Sequence, residues 1–287
     1  MLEEIARDGN RCGEGPIWDV ERQRLLWDDN AVKAVYEFVP GTGAKRLLTD
    51  AVNVSGIALD RSGALVLGGS GGLHLWTPGW CRTLLSDLPI NDLIADAAGR
   101  IYAGTLHWGP NGMEKPGQLL LVSREGRRVV EEGIGIANGL GFSPDDKTLY
   151  FTDSAARRIY AYSVAADGGL SGRRVFVQVP REEGLPDGLT VDREGFVWSA
   201  QWYGSQVVRY DPDGKVERRI ALPVRQVSSM AFGGPDLTDL YITTAGEGWE
   251  SDLAPPGYEF SAPNLGGSLY RVRLDIPGRA EHRAGLG

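Results

Sequence analysis

The chain repeats one short pattern six times. Each copy starts with a polar residue, usually followed by a small one, and alternating apolar residues then lead to a turn and a second β-rich run. Neighbouring copies start 36 to 49 residues apart, at Glu14, Ser55, Asn91, Asn138, Asp187 and Ser228. A repeat of this period, built from short strands and turns, is typical of a β-propeller in which each copy forms one blade.

Each copy contains enough strand-forming sequence for four antiparallel strands. In the fifth copy, "DGLTVDREGFVWSAQ" predicts a hairpin, "QVVRYDP" a third strand and "VERRIAL" a fourth. Six copies therefore predict an all-β, six-bladed β-propeller that occupies residues 1–287 as a single domain. The segment "LEEIARD", within residues 2–10, precedes the first copy, and we expect it to supply the outer strand of the last blade and so close the ring.

Composition and charge exclude several classes of protein. Hydrophobic residues make up 42% and charged residues 24% of the chain, which is typical of a globular protein. The net charge is −8, and the densest basic patch, "REGRR" at 124–128, predicts a hairpin turn, so we expect no nucleic-acid partner. We expect no membrane partner, because no apolar run is long enough to cross a bilayer. With no secretory signal and only Cys12 and Cys81, the sequence favours the cytoplasm.

The polar residues that open the six copies form a candidate binding site. The first strand of each blade lines the central channel of a propeller, so its first side chain lies near one mouth of that channel. All six residues carry oxygen, and Glu14 and Asp187 carry negative charge. A ring of oxygen atoms with two carboxylates is suited to a hard divalent cation, without which the two carboxylates would repel each other.

Four motifs identify a family that the chain resembles. "GEGPIWD", "NGLGFSPDDKTLYFTDS", "PDGLTVDREGFVW" and "AFGGPDLTDLYITTA" resemble the senescence-marker-protein, gluconolactonase and luciferin-regenerating-enzyme family, from about Cys12 to Val272. The resemblance implies a six-bladed propeller with one divalent metal in the channel, held by Glu14, Asn138 and Asp187. It also implies that Asn91 contacts the substrate and that Asp187 acts as the general base.

This site predicts a metal-dependent lactonase. The metal would be Ca²⁺, Zn²⁺, Mg²⁺, Mn²⁺ or Fe²⁺, all of which accept oxygen ligands. It would polarise the lactone carbonyl, while Asp187 accepts a proton from the attacking water. We therefore expect a small-molecule lactone as the partner, gluconolactone-like in class, and a monomer or small homo-oligomer.

Aromatic side chains in the loops between the second and third strands are expected to surround the metal. Such side chains suit the face of a sugar or an apolar ring. We expect His107 to touch the substrate. The candidates are His107, Trp108, Trp202, Tyr203 and Trp249.

Two features leave alternatives open. Sugar lactonases of this family often carry an arginine two residues before the asparagine of "ND", where this chain has Pro89. A promiscuous esterase, organophosphatase or aryl-lactone hydrolase on the same propeller is therefore an alternative, and a non-enzymatic metal-binding propeller is another. The "GGSGG" stretch at 68–72 matches a serine-hydrolase nucleophile elbow. No helix is predicted after it, so we interpret Ser70 as a loop residue.

Overall fold

The fold is a six-bladed β-propeller. The computed structural model describes residues 1–7, 9–109, 112–247, 251–261, 263 and 265–287, and it contains six four-stranded antiparallel sheets. One short 3₁₀ turn, Arg181–Glu183, is the helical structure found in these ranges. They contain no helix long and apolar enough to cross a membrane. The predicted all-β architecture and the number of blades are confirmed.

The first strand, β1 (Leu2–Ala6), stands apart in the chain from the blade to which it belongs. The next eight strands form the first two blades in simple chain order. Blade 1 consists of β2 (Gly13–Asp19), β3 (Arg24–Asp29), β4 (Ala34–Val39) and β5 (Ala44–Thr49). Blade 2 consists of β6 (Gly56–Leu59), β7 (Leu65–Gly69), β8 (Gly72–Thr77) and β9 (Trp80–Ser86).

Blade 3 carries an additional hairpin between its second and third strands. Its first two strands are β10 (Ile90–Ala95) and β11 (Ile101–Thr105). The hairpin follows as β12 (His107–Gly109) and β13 (Gly112–Lys115). The blade then ends with β14 (Gly117–Ser123) and β15 (Gly126–Ile134). The short turn between β14 and β15 confirms the hairpin predicted at "REGRR".

Blades 4 and 5 return to the simple order, and blade 6 uses strands from both ends of the chain. Blade 4 consists of β16 (Ala137–Phe142), β17 (Thr148–Asp153), β18 (Arg158–Val164) and β19 (Leu170–Gln178). Blade 5 consists of β20 (Leu185–Val191), β21 (Val197–Trp202), β22 (Gln206–Tyr210) and β23 (Val216–Ala221). Blade 6 consists of β24 (Val227–Gly233), β25 (Asp239–Thr244), β26 (Leu269–Arg273) and β1.

The ring closes through β1. This strand pairs antiparallel with β26, with Leu2 opposite Val272 and Glu4 opposite Tyr270. The innermost strands of neighbouring blades contact one another all the way around, including β24 of blade 6 against β2 of blade 1. The predicted closure by the N-terminal segment is confirmed, although the strand ends at Ala6 rather than near residue 10.

The small residue in most repeats lets neighbouring inner strands approach closely. A side-chain carbon at Gly139 would lie 2.4 Å from the carbonyl oxygen of Asp187, and one at Gly188 would lie 2.1 Å from Ser229 Oγ. Both distances are far below a van der Waals contact, so any larger residue would force two blades apart. Large apolar side chains fill the space between blades further out, among them the fully buried Trp27 and Trp198.

The C-terminal tail, residues 275–287, crosses the underside of the propeller, where the innermost strands end. It has almost no regular secondary structure, and backbone and side-chain hydrogen bonds hold it to all six blades. Its bonds join Pro277 to Arg193, Gly278 to Leu237, Arg279 to Ser143, Arg283 to Asp19, Ala284 to Leu59 and Gly285 to Gly99.

Candidate active site

A pocket of about 170 Å³ lies at the mouth of the channel where the innermost strands begin. One part of its wall is polar, and the rest is mostly apolar or aromatic. The residues that line it are Cys12, Glu14, Asn30, Asn91, Leu106, Trp108, Ile136, Asn138, Ser154, Leu185, Asp187, Trp202, Tyr203, Ser251 and Leu253.

Four of the six residues that open the repeats line this pocket: Glu14, Asn91, Asn138 and Asp187. The two serines do not. Ser55 Oγ donates to the carbonyl oxygen of Ile90 at 2.7 Å, and Ser228 Oγ donates to that of Gly13 at 2.6 Å. Each serine therefore ties its innermost strand to the next blade, and the expectation that all six side chains meet at the mouth is wrong for these two.

Irregular pairing at the start of the innermost strands accompanies this placement of the polar residues. The register shifts between Glu14 and Ile17 in β2, between Asn138 and Leu140 in β16, and between Pro186 and Leu189 in β20. Such bulges bend a strand and redirect its side chains. In β2, Gly15 adopts a φ of +53°, which L-residues with a side chain rarely adopt. The second glycine of "GEG" therefore permits the bulge that carries Glu14.

The two carboxyl groups of the predicted metal site lack a cationic partner among the described residues. Burial raises the pKa of both Glu14 and Asp187 well above its usual range. The negative charge of Asp187 raises the pKa of Glu14 further, and that of Asp92 raises the pKa of Asp187 further. A backbone hydrogen bond at the following residue, Gly15 or Gly188, only partly offsets these effects.

The amide of Asn138 is held in one orientation. Its Nδ2 donates to Ser154 Oγ at 2.8 Å, and its Oδ1 accepts from Asn91 Nδ2 at 2.6 Å. Ser154 Oγ in turn donates to the carbonyl oxygen of Pro186 at 2.6 Å. One lone pair of Asn138 Oδ1 therefore remains for a further partner.

The donor set fits a hard cation. Two carboxylates of like charge, one half-buried and one buried, and one oriented amide oxygen are ligands that such cations prefer. Across the described part of the chain, no group of three or more His, Cys, Asp or Glu side chains is placed to hold a metal. A cation between Glu14 and Asp187 would therefore depend on Asn138 as its third protein ligand.

The predicted aromatic surroundings are present in part. Trp108, Trp202 and Tyr203 line the pocket. His107 lies on β12 next to Trp108 but does not line the pocket, and burial and the charge of Lys115 lower its pKa. Its contact with the substrate stays a prediction. Trp249 lies outside the described residues.

Two further carboxyl groups near the channel mouth were not predicted as site residues. Asp28 lies opposite Glu14 in the β2–β3 pairing, is fully buried, and neither of its oxygens has a hydrogen-bond partner in the structure. Burial raises the pKa of Asp28 well above its usual range and that of Asp92 to about 7. The available signals were the two adjacent acids in "LLWDD" and an acid after Asn91, where most copies have glycine.

Ser70 is a loop residue, as interpreted from the sequence. It lies between β7 and β8, its N–H donates to Asn53 Oδ1 at 3.0 Å, and no helix follows it. The geometry of a nucleophile elbow is therefore missing. Cys12 and Cys81 are both free thiols.

The fold and the pocket define a six-bladed β-propeller with an acidic site at one mouth of its channel. Residues 12–246 match the family model described as the SMP-30/Gluconolactonase/LRE-like region, and the chain belongs to this family.

Similar proteins cover nearly the whole chain. The pentonolactonase XacC of Haloferax volcanii is 38% identical over 96% of this chain and 94% of its own length. A 6-deoxy-6-sulfogluconolactonase of Pseudomonas putida is 33% identical over 96% of each chain. A solved structure, described as a calcium-binding protein, regucalcin, from Agrobacterium tumefaciens, superimposes with a TM-score of 0.85 at 27% identity, over 98% of this chain and 96% of the other.

Proposed function

We propose that the protein hydrolyses a neutral sugar lactone in the pocket formed around Glu14, Asn138 and Asp187. The observation that carries the proposal is a pair of carboxyl groups, half-buried Glu14 and buried Asp187, that have no cationic partner among the described residues and lie at the wall of a pocket that is otherwise largely apolar. The relatives named as lactonases in Haloferax volcanii and Pseudomonas putida support the reaction class.

The same residues would hold one divalent cation. Two carboxylates nearly neutralise its charge, and the amide of Asn138 adds a ligand without charge. When bound, such a cation polarises a carbonyl group and lowers the pKa of water. The description of the Agrobacterium tumefaciens protein as calcium-binding supports Ca²⁺ as the first ion to test.

The protein side chains have separate roles in this proposal. Asp187 accepts the proton of the attacking water through the carboxylate oxygen that does not bind the cation. Asn91 uses its Nδ2 on Asn138 and on the carbonyl oxygen of Ala137, so its Oδ1 remains to accept a hydrogen bond from a substrate hydroxyl. The apolar wall, with Trp108 and Trp202, covers the carbon face of the ring and excludes bulk water.

The substrate is proposed to be uncharged and of pentonolactone size. None of the described residues that line the pocket has a positively charged side chain, and Pro89 stands where related lactonases often have arginine. The cavity of about 170 Å³ is small, and the 38% identical relative is named a pentonolactonase. The aromatic wall favours an aryl lactone as the second candidate.

A lactone panel tests the proposal. The protein is treated with a chelator, and hydrolysis is measured before and after each of Ca²⁺, Zn²⁺, Mg²⁺, Mn²⁺ and Fe²⁺ is added back. We expect a neutral pentonolactone to be hydrolysed with a higher kcat/KM than a sulfonated gluconolactone. Full activity after chelation would contradict the role of the cation, and a preference for the sulfonated substrate would contradict the proposed substrate class.

A further inference from the structure

A second and larger cavity lies on the underside of the propeller, away from the candidate active site. This groove, of about 910 Å³, is formed mainly by loops that follow the innermost and third strands in blades 2 and 3, and by the end of the C-terminal tail. We call it the arginine groove, because five arginines line it: Arg61, Arg100, Arg124, Arg127 and Arg128.

Two of these arginines are paired with carboxylates. Arg100 Nε donates to Asp96 Oδ2 at 2.6 Å, and Arg128 Nη2 donates to Asp167 Oδ2 at 3.0 Å. Their positive charge is therefore largely balanced within the protein, and they form the edge of the groove towards blade 4.

The other three arginines have no carboxylate side chain as a partner among the described residues. Arg61 donates to the carbonyl oxygen of Ala97 at 3.0 Å. Arg124 donates to the main-chain oxygen of Gly287, the last residue of the structure, whose α-carboxylate balances part of its charge. Arg127 is exposed, and its side chain makes no hydrogen bond or ion pair within the described structure. Most of the N–H donors of these three guanidinium groups are available to a ligand.

The residues that line the groove include five arginines and three acidic side chains, Asp60, Glu125 and Asp167, so the side-chain charge of the groove is positive. Asp60 already accepts hydrogen bonds from the N–H groups of Ser62 and Leu286, both at 2.8 Å. Glu125 is exposed on the same turn as Arg124 and Arg127. A sixth arginine, Arg82, lines an adjoining cavity of about 440 Å³ that shares Arg124 with the groove, and it donates to the carbonyl oxygen of Leu286 at 3.0 Å.

We propose that the arginine groove binds a small anion that carries two or more phosphate groups. A guanidinium group presents two parallel N–H donors that match two oxygens of a phosphate. Arg61 lies on the loop between β6 and β7, whereas Arg124 and Arg127 lie on the β14–β15 hairpin, so we expect the groove to hold more than one phosphate group. The volume is that of a small-molecule site, and the net charge of −8 disfavours a long nucleic acid that would extend over the rest of the surface.

The sequence shows three of the five arginines of this groove as one cluster. "REGRR" supplies Arg124, Arg127 and Arg128 on one turn, whereas Arg61 and Arg100 come from loops that precede it by 24 residues or more. The fold of blades 2 and 3 brings these loops to one side of the ring.

Isothermal titration calorimetry with inorganic tripolyphosphate tests the site, at constant ionic strength and with orthophosphate as the comparison. We expect wild-type protein to bind tripolyphosphate with a Kd below about 1 mM and to bind orthophosphate more weakly. The double variant Arg124→Gln/Arg127→Gln should bind tripolyphosphate at least about tenfold more weakly, because it loses two charge-assisted contacts.

The matched control is Arg174→Gln, an exposed arginine on the outer strand of blade 4. It should leave the affinity unchanged. Because tripolyphosphate also chelates metal ions, equal binding by the wild type and the double variant would overturn the proposal and assign the heat to metal chelation or another surface. Absence of binding by the wild type would overturn it as well. The side chain of Arg127 makes no hydrogen bond or ion pair within the described structure. The single variant Arg127→Gln therefore tests the loss of a ligand contact without the loss of a contact that stabilises the fold.

Discussion

Glu14 lies at the candidate active site beside other carboxyl groups, and repulsion between their charges opposes this arrangement. Its two flanking glycines allow a bulge, and a side-chain carbon at Gly15 would lie only 2.5 Å from Asp28 Oδ2. Glu14 therefore lies beside a second buried carboxyl group, with Asp92 and Asp187 near enough to raise its pKa. Four carboxyl groups in one channel mouth repel one another unless protons or a cation balance their charge.

The substitution Asp187→Asn should abolish most lactone hydrolysis while it leaves the fold intact. Asparagine keeps the volume and an oxygen ligand, but it cannot accept a proton from water. Loss of a general base typically lowers the rate by about 10²–10⁴-fold. The rate should be measured at a saturating concentration of the cation, because the substitution also weakens cation binding. Ser70→Ala is the control and should retain full activity; the opposite pattern would indicate a serine hydrolase.

Asp28 and Asp29 are adjacent acids, and we expect substitution of Asp28 to weaken cation binding and substitution of Asp29 to weaken the fold. Asp28→Asn should weaken cation binding by about tenfold, because it removes a negative charge beside Glu14, a loss of about 1.4 kcal/mol. Asp29 accepts hydrogen bonds from the N–H groups of Arg11 and Cys12 at 2.8 and 3.0 Å. Asp29→Ala should instead lower the free energy of unfolding by about 1–3 kcal/mol. Calorimetric cation titration and urea denaturation of both variants distinguish these effects; identical behaviour would refute the distinction.

At the scale of elements, the repeat pattern predicts where the innermost strand of each blade starts, because that start depends on local sequence. The polar residue that opens each copy lies within two residues of the start of an innermost strand, from Glu14 in β2 to Ser228 in β24. The hairpin β12–β13 and the C-terminal tail follow no repeat, and the tail is held by contacts with residues distant in the chain, so neither was predicted. Asp28 was missed because its environment depends on the bulge at Gly15 and on the neighbouring blade.

Removal of residues 1–7 should destabilise blade 6. The deletion removes β1, exposes the edge of β26 and breaks the ion pair between Glu3 and Arg271. An unpaired edge strand both loses backbone hydrogen bonds and promotes association. We expect a Tm lower by several degrees and a shift to larger species in size-exclusion chromatography. Glu3→Gln, which keeps the strand and removes one half-exposed ion pair, should change the Tm little; an equal effect of both changes would contradict the role of the strand.

At the scale of the whole molecule, the raised pKa values predict how stability varies with pH in the absence of metal. The pKa of Asp92 rises from 3.8 to about 7 in the folded protein, and those of Glu14, Asp28 and Asp187 are also raised. At a pH between the unfolded and the folded pKa of each group, the folded state therefore holds more protons than the unfolded state. The contribution of these four groups to stability should be fully present below pH about 4 and should decrease as the pH rises, and that of Asp92 should be lost as the pH passes about 7.

Thermal melts after chelation test this dependence. The Tm at pH 5 should exceed that at pH 8, and Asp92→Asn should reduce the difference. A saturating cation should raise the Tm mainly at pH 8, because it binds the deprotonated carboxylates and binds only the folded protein. A chelated protein whose Tm is the same at both pH values would contradict the assignment of raised pKa values to this site.

The closure of the ring by β1 also has a consequence for synthesis on the ribosome. Leu2–Ala6 is translated more than 260 residues before its partner, Leu269–Arg273. At about 5–20 residues per second, the first strand waits for tens of seconds with both edges unpaired. A strand in that position is exposed to other nascent chains, and charged side chains discourage such pairing. Glu3 and Glu4 on the strand and Arg7 directly after it are placed to keep this segment soluble until blade 6 is complete.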